Sequence, residues 1–107
     1  NDDKGKWILT SHQEAKTEYA ITTVEHGQFK QYFIDRTFVD EKGIRWIIDY
    51  KTSQPQQLSL DEFLQEQKKR YKTQLEKYAN ALQKIEKRPI FLALYFPLCS
   101  AWIEWTY

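Results

Sequence analysis

The residues best suited to chemistry are two aspartates and a lysine, Asp35, Asp49 and Lys51, which lie on either side of a short polar loop at 40–43. The runs that flank this loop are rich in aromatic and β-branched residues and predict a β-hairpin. A three-residue loop ending in Gly43, which can adopt a positive φ, sets a register that places Asp35 opposite Asp49. Lys51, two residues beyond Asp49, points to the same side of the sheet.

Facing carboxylates destabilise a sheet unless something neutralises them, and a hard divalent cation with oxygen ligands is the usual agent. A lysine beside such an ion can hold or activate a water molecule, or stabilise negative charge on a phosphate. The alternative is that all three charges are ordinary residues on a solvated face. Against it, Phe29, Phe33 and Ile47 share the parity of the charges, which predicts a partly apolar face.

The strand before this hairpin contains a third candidate carboxylate. Residues 18–24 predict a strand, and a turn at 26–27 joins it to a strand over residues 29–39. If the turn has two or four residues, Glu18 faces Asp35, and a row of carboxylates crosses three strands. A turn of three residues would break that row. Glu18 is therefore a further candidate metal ligand.

A long helix is expected after the hairpin, over residues 60–86. Ser59 is a candidate N-cap, Glu62 completes a capping box, and apolar residues recur on one helical face until Pro89. At 1.5 Å per residue the helix would be roughly 40 Å long, so a break near the basic cluster at 68–70 is an alternative.

Two shorter strands follow, over residues 90–96 and 101–105, which gives a mixed α/β (α+β) sheet with one long helix. With 107 residues, 41% hydrophobic and 16% aromatic, the chain is expected to form one domain. A net charge of +1 gives no field that favours nucleic acid by itself, and no apolar run approaches the length of a membrane span. Cys99 is the only cysteine, which fits a cytoplasmic protein. The polar start without methionine indicates a fragment of something larger.

Three motifs in combination resemble the PD-(D/E)XK nuclease superfamily: Ile34-Asp35-Arg36, Asp49-Tyr50-Lys51-Thr52 and Gln74-Leu75-Glu76-Lys77-Tyr78. The nearest resemblance is to the RecB-type nuclease domain at the C-terminus of UvrD-like (AddA/RecB-like) helicase-nucleases, and it runs from about residue 18 to residue 107. It implies a restriction-endonuclease-like sheet with a long flanking helix. It also implies that residues 1–107 are the C-terminal part of a larger helicase-nuclease.

The resemblance assigns roles to residues of each motif. Asp35, Asp49 and the backbone carbonyl of Tyr50 would bind Mg²⁺ or Mn²⁺, and Lys51 would serve the attacking water. Two residues of the third motif would border the active site, Gln74 and Tyr78.

Five basic residues are candidate phosphate contacts: Arg36, Lys68, Lys69, Arg70 and Lys72. A charged, solvated helix face is the alternative interpretation for those between 68 and 72.

The expected function is a metal-dependent DNA exonuclease that cuts without sequence specificity. Its partners would be single-stranded DNA or DNA ends and covalently linked ATP-dependent helicase domains, with or without a second subunit. It would act in double-strand-break repair and recombination, in the cytoplasm. One alternative is a catalytically inactive, nuclease-like DNA-binding or scaffolding module. Another is an unrelated metal-regulated binding domain, which would have no affinity for DNA.

Overall fold

The architecture is a five-stranded mixed sheet with one helix on each face, seen in a computed structural model that describes residues 3–10 and 12–107. The strands lie in the sheet in chain order. β3 and β4 are parallel, and all other neighbours are antiparallel. The elements along the chain are α1 (Asp3–Leu9), β1 (Gln13–Glu25), β2 (Gln28–Val39), β3 (Arg45–Tyr50), α2 (Leu60–Gln83), β4 (Ile90–Phe96) and β5 (Ala101–Thr106). The mixed α/β class with a long flanking helix, predicted from the sequence, is confirmed.

Both hairpin turns have the geometry that their sequences predict. His26 and Gly27 have φ of 52° and 76° and form a two-residue turn, so that Glu25 pairs with Gln28. In the second turn Gly43 has φ of 80°. These turns fix the registers of β1 against β2 and of β2 against β3.

Helix α2 is the crossover that parallel pairing of β3 with β4 requires. Its N-cap is Ser59, and the capping box with Glu62 is formed in both directions. The helix is unbroken through 68–70 and has its C-cap at Lys84, before the predicted stop at Pro89. Neither α2 nor α1 is long and apolar enough to cross a membrane, within the residues described.

The sheet is buried on both sides in its central strands. Alternate residues of β3 contact different layers: Ile47 belongs to the cluster under α2, whereas Trp46 and Ile48 belong to the cluster with Ile8 of α1. The segment around Ile8 had no predicted structure, and it supplies the second layer. Asp49 follows Ile48 and therefore lies on the α2 side.

Strand β2 changes its inward side at Asp35. Ile34 packs in the cluster under α2, whereas Arg36, two residues on, donates from Nε to the carbonyl of Ile8 in α1 (3.0 Å). Residues two apart in a regular strand point to the same face. The alternation of side chains along β2 is therefore interrupted at Asp35. On β1 the residue level with Asp35 is Glu18, which has φ of 52° and is absent from the paired residues.

This reversal corrects the expectation of a partly apolar face around the charges. Ile47 is fully buried as predicted, but Phe29 and Phe33 are 82% and 60% exposed, on the opposite side of the hairpin from Ile34. The parity argument was wrong for these two phenylalanines because it assumed an unbroken alternation along β2. The apolar surroundings of Asp49 come from β3, β4 and α2 instead.

Candidate active site

Asp35 and Asp49 lie side by side where β3 ends. The last paired residues of β2 and β3 are Arg36 with Ile48, so the same register carries Asp35 level with Asp49, as the loop length predicted. The backbone N–H of Tyr50 donates to Oδ2 of Asp35 at 2.9 Å. That hydrogen bond holds the Asp35 carboxylate against the end of β3, beside the Asp49 carboxylate.

Asp49 is only 8% exposed, and this determines its acidity. Burial, and then the hydrogen bond with Asp35, raise the pKa of Asp49 to about 6, while Lys51 acts in the opposite direction. Asp49 therefore retains its proton at mildly acidic pH, and that proton must leave before Asp49 can bind a cation.

Lys51 lies over the carboxylate pair and is held from two directions. Its Nζ is 2.9 Å from Oδ2 of Asp49 and 3.8 Å from the ring centroid of Tyr71 on α2. Its backbone N–H donates to the carbonyl of Tyr95 on β4 (2.9 Å). The lysine therefore lies beside the carboxylates with its ammonium between an anion and an aromatic ring.

The donor set fits a hard divalent cation. Oδ2 of Asp49 is buried, and the Lys51 ammonium lies 2.9 Å from it. Lys51 supplies one positive charge to two carboxylates, which leaves a negative charge that a divalent cation can neutralise. Asp35 supplies a second carboxylate, and the oxygen ligands that Mg²⁺ and Mn²⁺ prefer are thus present in the pair.

Glu18 does not extend the pair into a row of three carboxylates. Its neighbours Thr17 and Tyr19 pair with Arg36 and Ile34, so the predicted register is correct. Glu18 itself is exposed and has left-handed backbone geometry, and across residues 3–10 and 12–107 no three His, Cys, Asp or Glu side chains gather as a metal site. The two aspartates are the carboxylates that the structure brings together.

Gln74 and Tyr78 contact each other, one turn apart on α2. Nε2 of Gln74 donates to the Tyr78 hydroxyl at 2.6 Å, and the Tyr78 ring packs against Tyr32 of β2 at a centroid distance of 5.6 Å. The helix residue beside Lys51 is instead Tyr71. Tyr71 lies on the apolar stripe, and its position there gave no sign that it would contact a charged group.

The basic residues near 70 point in different directions around α2. Nζ of Lys68 lies 5.5 Å from the Trp105 ring, Lys72 forms a 4.0 Å ion pair with Glu76, and Lys69 is exposed. The fourth, Arg70, has its guanidinium carbon 5.4 Å from the ring of Tyr71. Arg70 is therefore the member of the cluster that shares a neighbour with Lys51.

Arg36 is buried, and its guanidinium is occupied inside the protein. In addition to Ile8 it donates to the carbonyl of Thr10 (3.2 Å) and the hydroxyl of Thr17 (3.0 Å). These bonds join α1 to the sheet, which makes Arg36 a structural residue in this fold. Its predicted contact with phosphate is therefore not part of the proposed DNA interface.

Neither a scan against protein-family models nor a search of curated proteins finds a match to this chain.

Proposed function

We propose that this chain is a metal-dependent deoxyribonuclease domain that hydrolyses phosphodiester bonds as an exonuclease without sequence specificity. The observation that carries the proposal is the position of Asp35 level with Asp49, with the ammonium of Lys51 2.9 Å from the Asp49 carboxylate. Two carboxylates and a lysine are the groups needed to hold a divalent cation and to place a water molecule and a phosphate beside it. The resemblance of the three sequence motifs to RecB-type nucleases supports the same assignment.

Each residue has a defined part in this proposal. Asp35 and Asp49 would hold Mg²⁺ or Mn²⁺ with the backbone carbonyl of Tyr50, as the motif resemblance implies. When bound, the ion lowers the pKa of a coordinated water and offsets charge on the phosphate. Lys51 orients or deprotonates the water, or donates to the phosphate oxygen, and the contact with Tyr71 restricts its ammonium to that position.

The setting is part of the proposal and is supported by the motif resemblance. In it the domain is joined to ATP-driven helicase domains that feed it single-stranded DNA or DNA ends during double-strand-break repair and recombination. A motor that delivers the strand compensates for weak intrinsic affinity, because tethering raises the effective concentration of substrate at the site.

Calorimetric titration with Mn²⁺ tests the metal site. Wild type should bind Mn²⁺ with saturable heat, Asp49→Asn should not, and Asp61→Asn, at an exposed aspartate in the first turn of α2, should match wild type. Wild type should also release nucleotides from end-labelled single-stranded DNA only when Mn²⁺ or Mg²⁺ is present. Equal heats from wild type and Asp49→Asn, or cleavage that persists in Asp49→Asn, would contradict the proposal.

A further inference from the structure

A cleft of about 500 Å³ adjoins the candidate active site. It is formed by the segment that follows β3 and by the first half of α2. Its polar walls are Ser53, Gln54, Gln56, Gln57, Gln67 and Arg70. Ser53 is two residues beyond Lys51, and Arg70 lies against the same tyrosine ring as Lys51. The cleft is therefore close to Lys51 along the chain, and Arg70 and Lys51 have Tyr71 as a common neighbour.

Gln67 is the unusual residue in this cleft. It is only 4% exposed, and its Oε1 has no hydrogen-bond partner among the described residues. It occupies a position on the inward face of α2, one turn after Phe63, where an apolar side chain would avoid the cost of an unpaired buried amide. Because Gln67 also lines the cleft, a ligand bound there could supply the missing donor.

The chemistry of the walls indicates which ligand this is. A phosphate alone carries no donor for Oε1 of Gln67, whereas nucleobase edges carry donors and acceptors together. The exposed amides of Gln54, Gln56 and Gln57 can each present either group by rotating, so these glutamines can satisfy any of the bases. Leu58 also lines the cleft, is exposed and offers an apolar surface for a base ring, and Arg70 can donate to a phosphate.

We propose that this cleft binds the nucleotide next to the scissile phosphate of a single DNA strand, with Arg70 on its phosphate and the glutamine amides, Gln67 above all, on its base. The inference rests on the proposed nuclease function and names a subsite for its substrate. A paired base has its edge occupied and cannot enter a cleft of this kind, so the strand must be single. Glu66 also lines the cleft and repels phosphate, so binding at this subsite is weak and depends on Arg70.

Binding is measured without cleavage, by fluorescence anisotropy of short single-stranded oligothymidine and oligodeoxyadenosine in Ca²⁺. Arg70→Gln should weaken binding of both oligonucleotides by roughly tenfold, the usual scale for a charge-assisted hydrogen bond. Lys77→Gln removes the same charge from an exposed position on the same helix and should change binding less than twofold. Equal losses in the two variants would reduce the effect to general electrostatics and overturn the assignment.

Gln67→Met separates a ligand-binding glutamine from a structural one. Methionine fills a similar volume without an unpaired amide, so the variant should melt at a higher temperature and bind both oligonucleotides several-fold more weakly. Lower stability, or unchanged affinity, would overturn the inference.

The outcome can be told apart from that of the nuclease proposal. If the cleft variants weaken binding in Ca²⁺ but the wild type does not cleave in Mn²⁺, the cleft assignment is supported and the nuclease proposal is overturned. Cleavage in Mn²⁺, with full DNA affinity in both cleft variants, would support the nuclease function and overturn the cleft assignment. A wild type that binds neither oligonucleotide would overturn the cleft assignment.

Discussion

Replacing Asp49 by asparagine should stabilise the metal-free protein at neutral pH. Burial and the hydrogen bond with Asp35 raise the pKa of Asp49 from 3.8 to about 6 in the fold. One pKa unit corresponds to about 1.4 kcal/mol, so ionising the folded carboxyl costs at most about 3 kcal/mol. Solvent screening at a group that is not fully enclosed reduces this to about 2 kcal/mol. Asparagine has the same shape, can donate to Asp35 and never ionises.

The sign of the pH dependence follows from which state holds the proton. Between about pH 4 and pH 6 the folded protein retains the Asp49 proton and the unfolded chain releases it, so the contribution of this group to stability falls as pH rises through that window. The asparagine variant has no such loss, because its amide does not titrate. The advantage of Asp49→Asn should therefore reach about 2 kcal/mol near pH 7.5 and disappear below about pH 4.

Urea unfolding in the presence of a chelator, followed by tryptophan fluorescence at both pH values, measures this difference. Asp40→Asn is the matched control with the opposite sign. Burial raises the pKa of Asp40, but hydrogen bonds from the Trp46 indole and from the backbone of Ile44 and Lys42 outweigh it and lower that pKa. Asp40→Asn should therefore lose stability at neutral pH. An equal gain for Asp49→Asn at both pH values, or a loss near pH 7.5, would refute the electrostatic reasoning.

Two further predictions concern catalysis. Lys51→Ala should retain Mn²⁺ and DNA affinity within a few fold, while single-turnover cleavage slows by roughly 10²-fold or more, the scale of a general acid-base or electrostatic group. Lost DNA binding with unchanged turnover would show that Lys51 only contacts phosphate. Cleavage of unrelated single-stranded oligonucleotides in Mn²⁺ should give products spread over all sequences, since the rotating amides of the cleft accept any base. Cuts confined to one short sequence would identify a site-specific endonuclease instead.

The parts of the site that depend on loop length and on local capping residues were predictable from the sequence. The loop ending in Gly43 fixes the register of β2 against β3, and so the meeting of Asp35 with Asp49. The start of α2 was equally predictable, because Ser59 and Glu62 satisfy backbone groups that any helix leaves open.

The parts that depend on long-range packing were not predictable. The reversal at Asp35 lies level with Glu18, whose left-handed conformation a non-glycine residue adopts rarely and no local pattern signals. The contact of Tyr71 with Lys51 depends on how α2 lies across the end of β3. Gln67 did carry a signal, since it is a polar residue on the apolar stripe of α2. Its position on the wall of a cleft could be seen only in the structure.

The parallel neighbour of β3 has a consequence for the time course of folding. β1, β2 and β3 can pair through short turns, whereas pairing of β4 with β3 closes a connection that contains the whole of α2, so we expect it to form later. Asp49 is opposite Leu94 of β4, so we expect its carboxyl to stay hydrated until that strand docks. Folding started at about pH 5 should then take up a proton late, when the pKa of Asp49 rises. A pH indicator in stopped-flow refolding would show whether the uptake coincides with burial of Trp105 in β5, and uptake that precedes this burial would contradict the order.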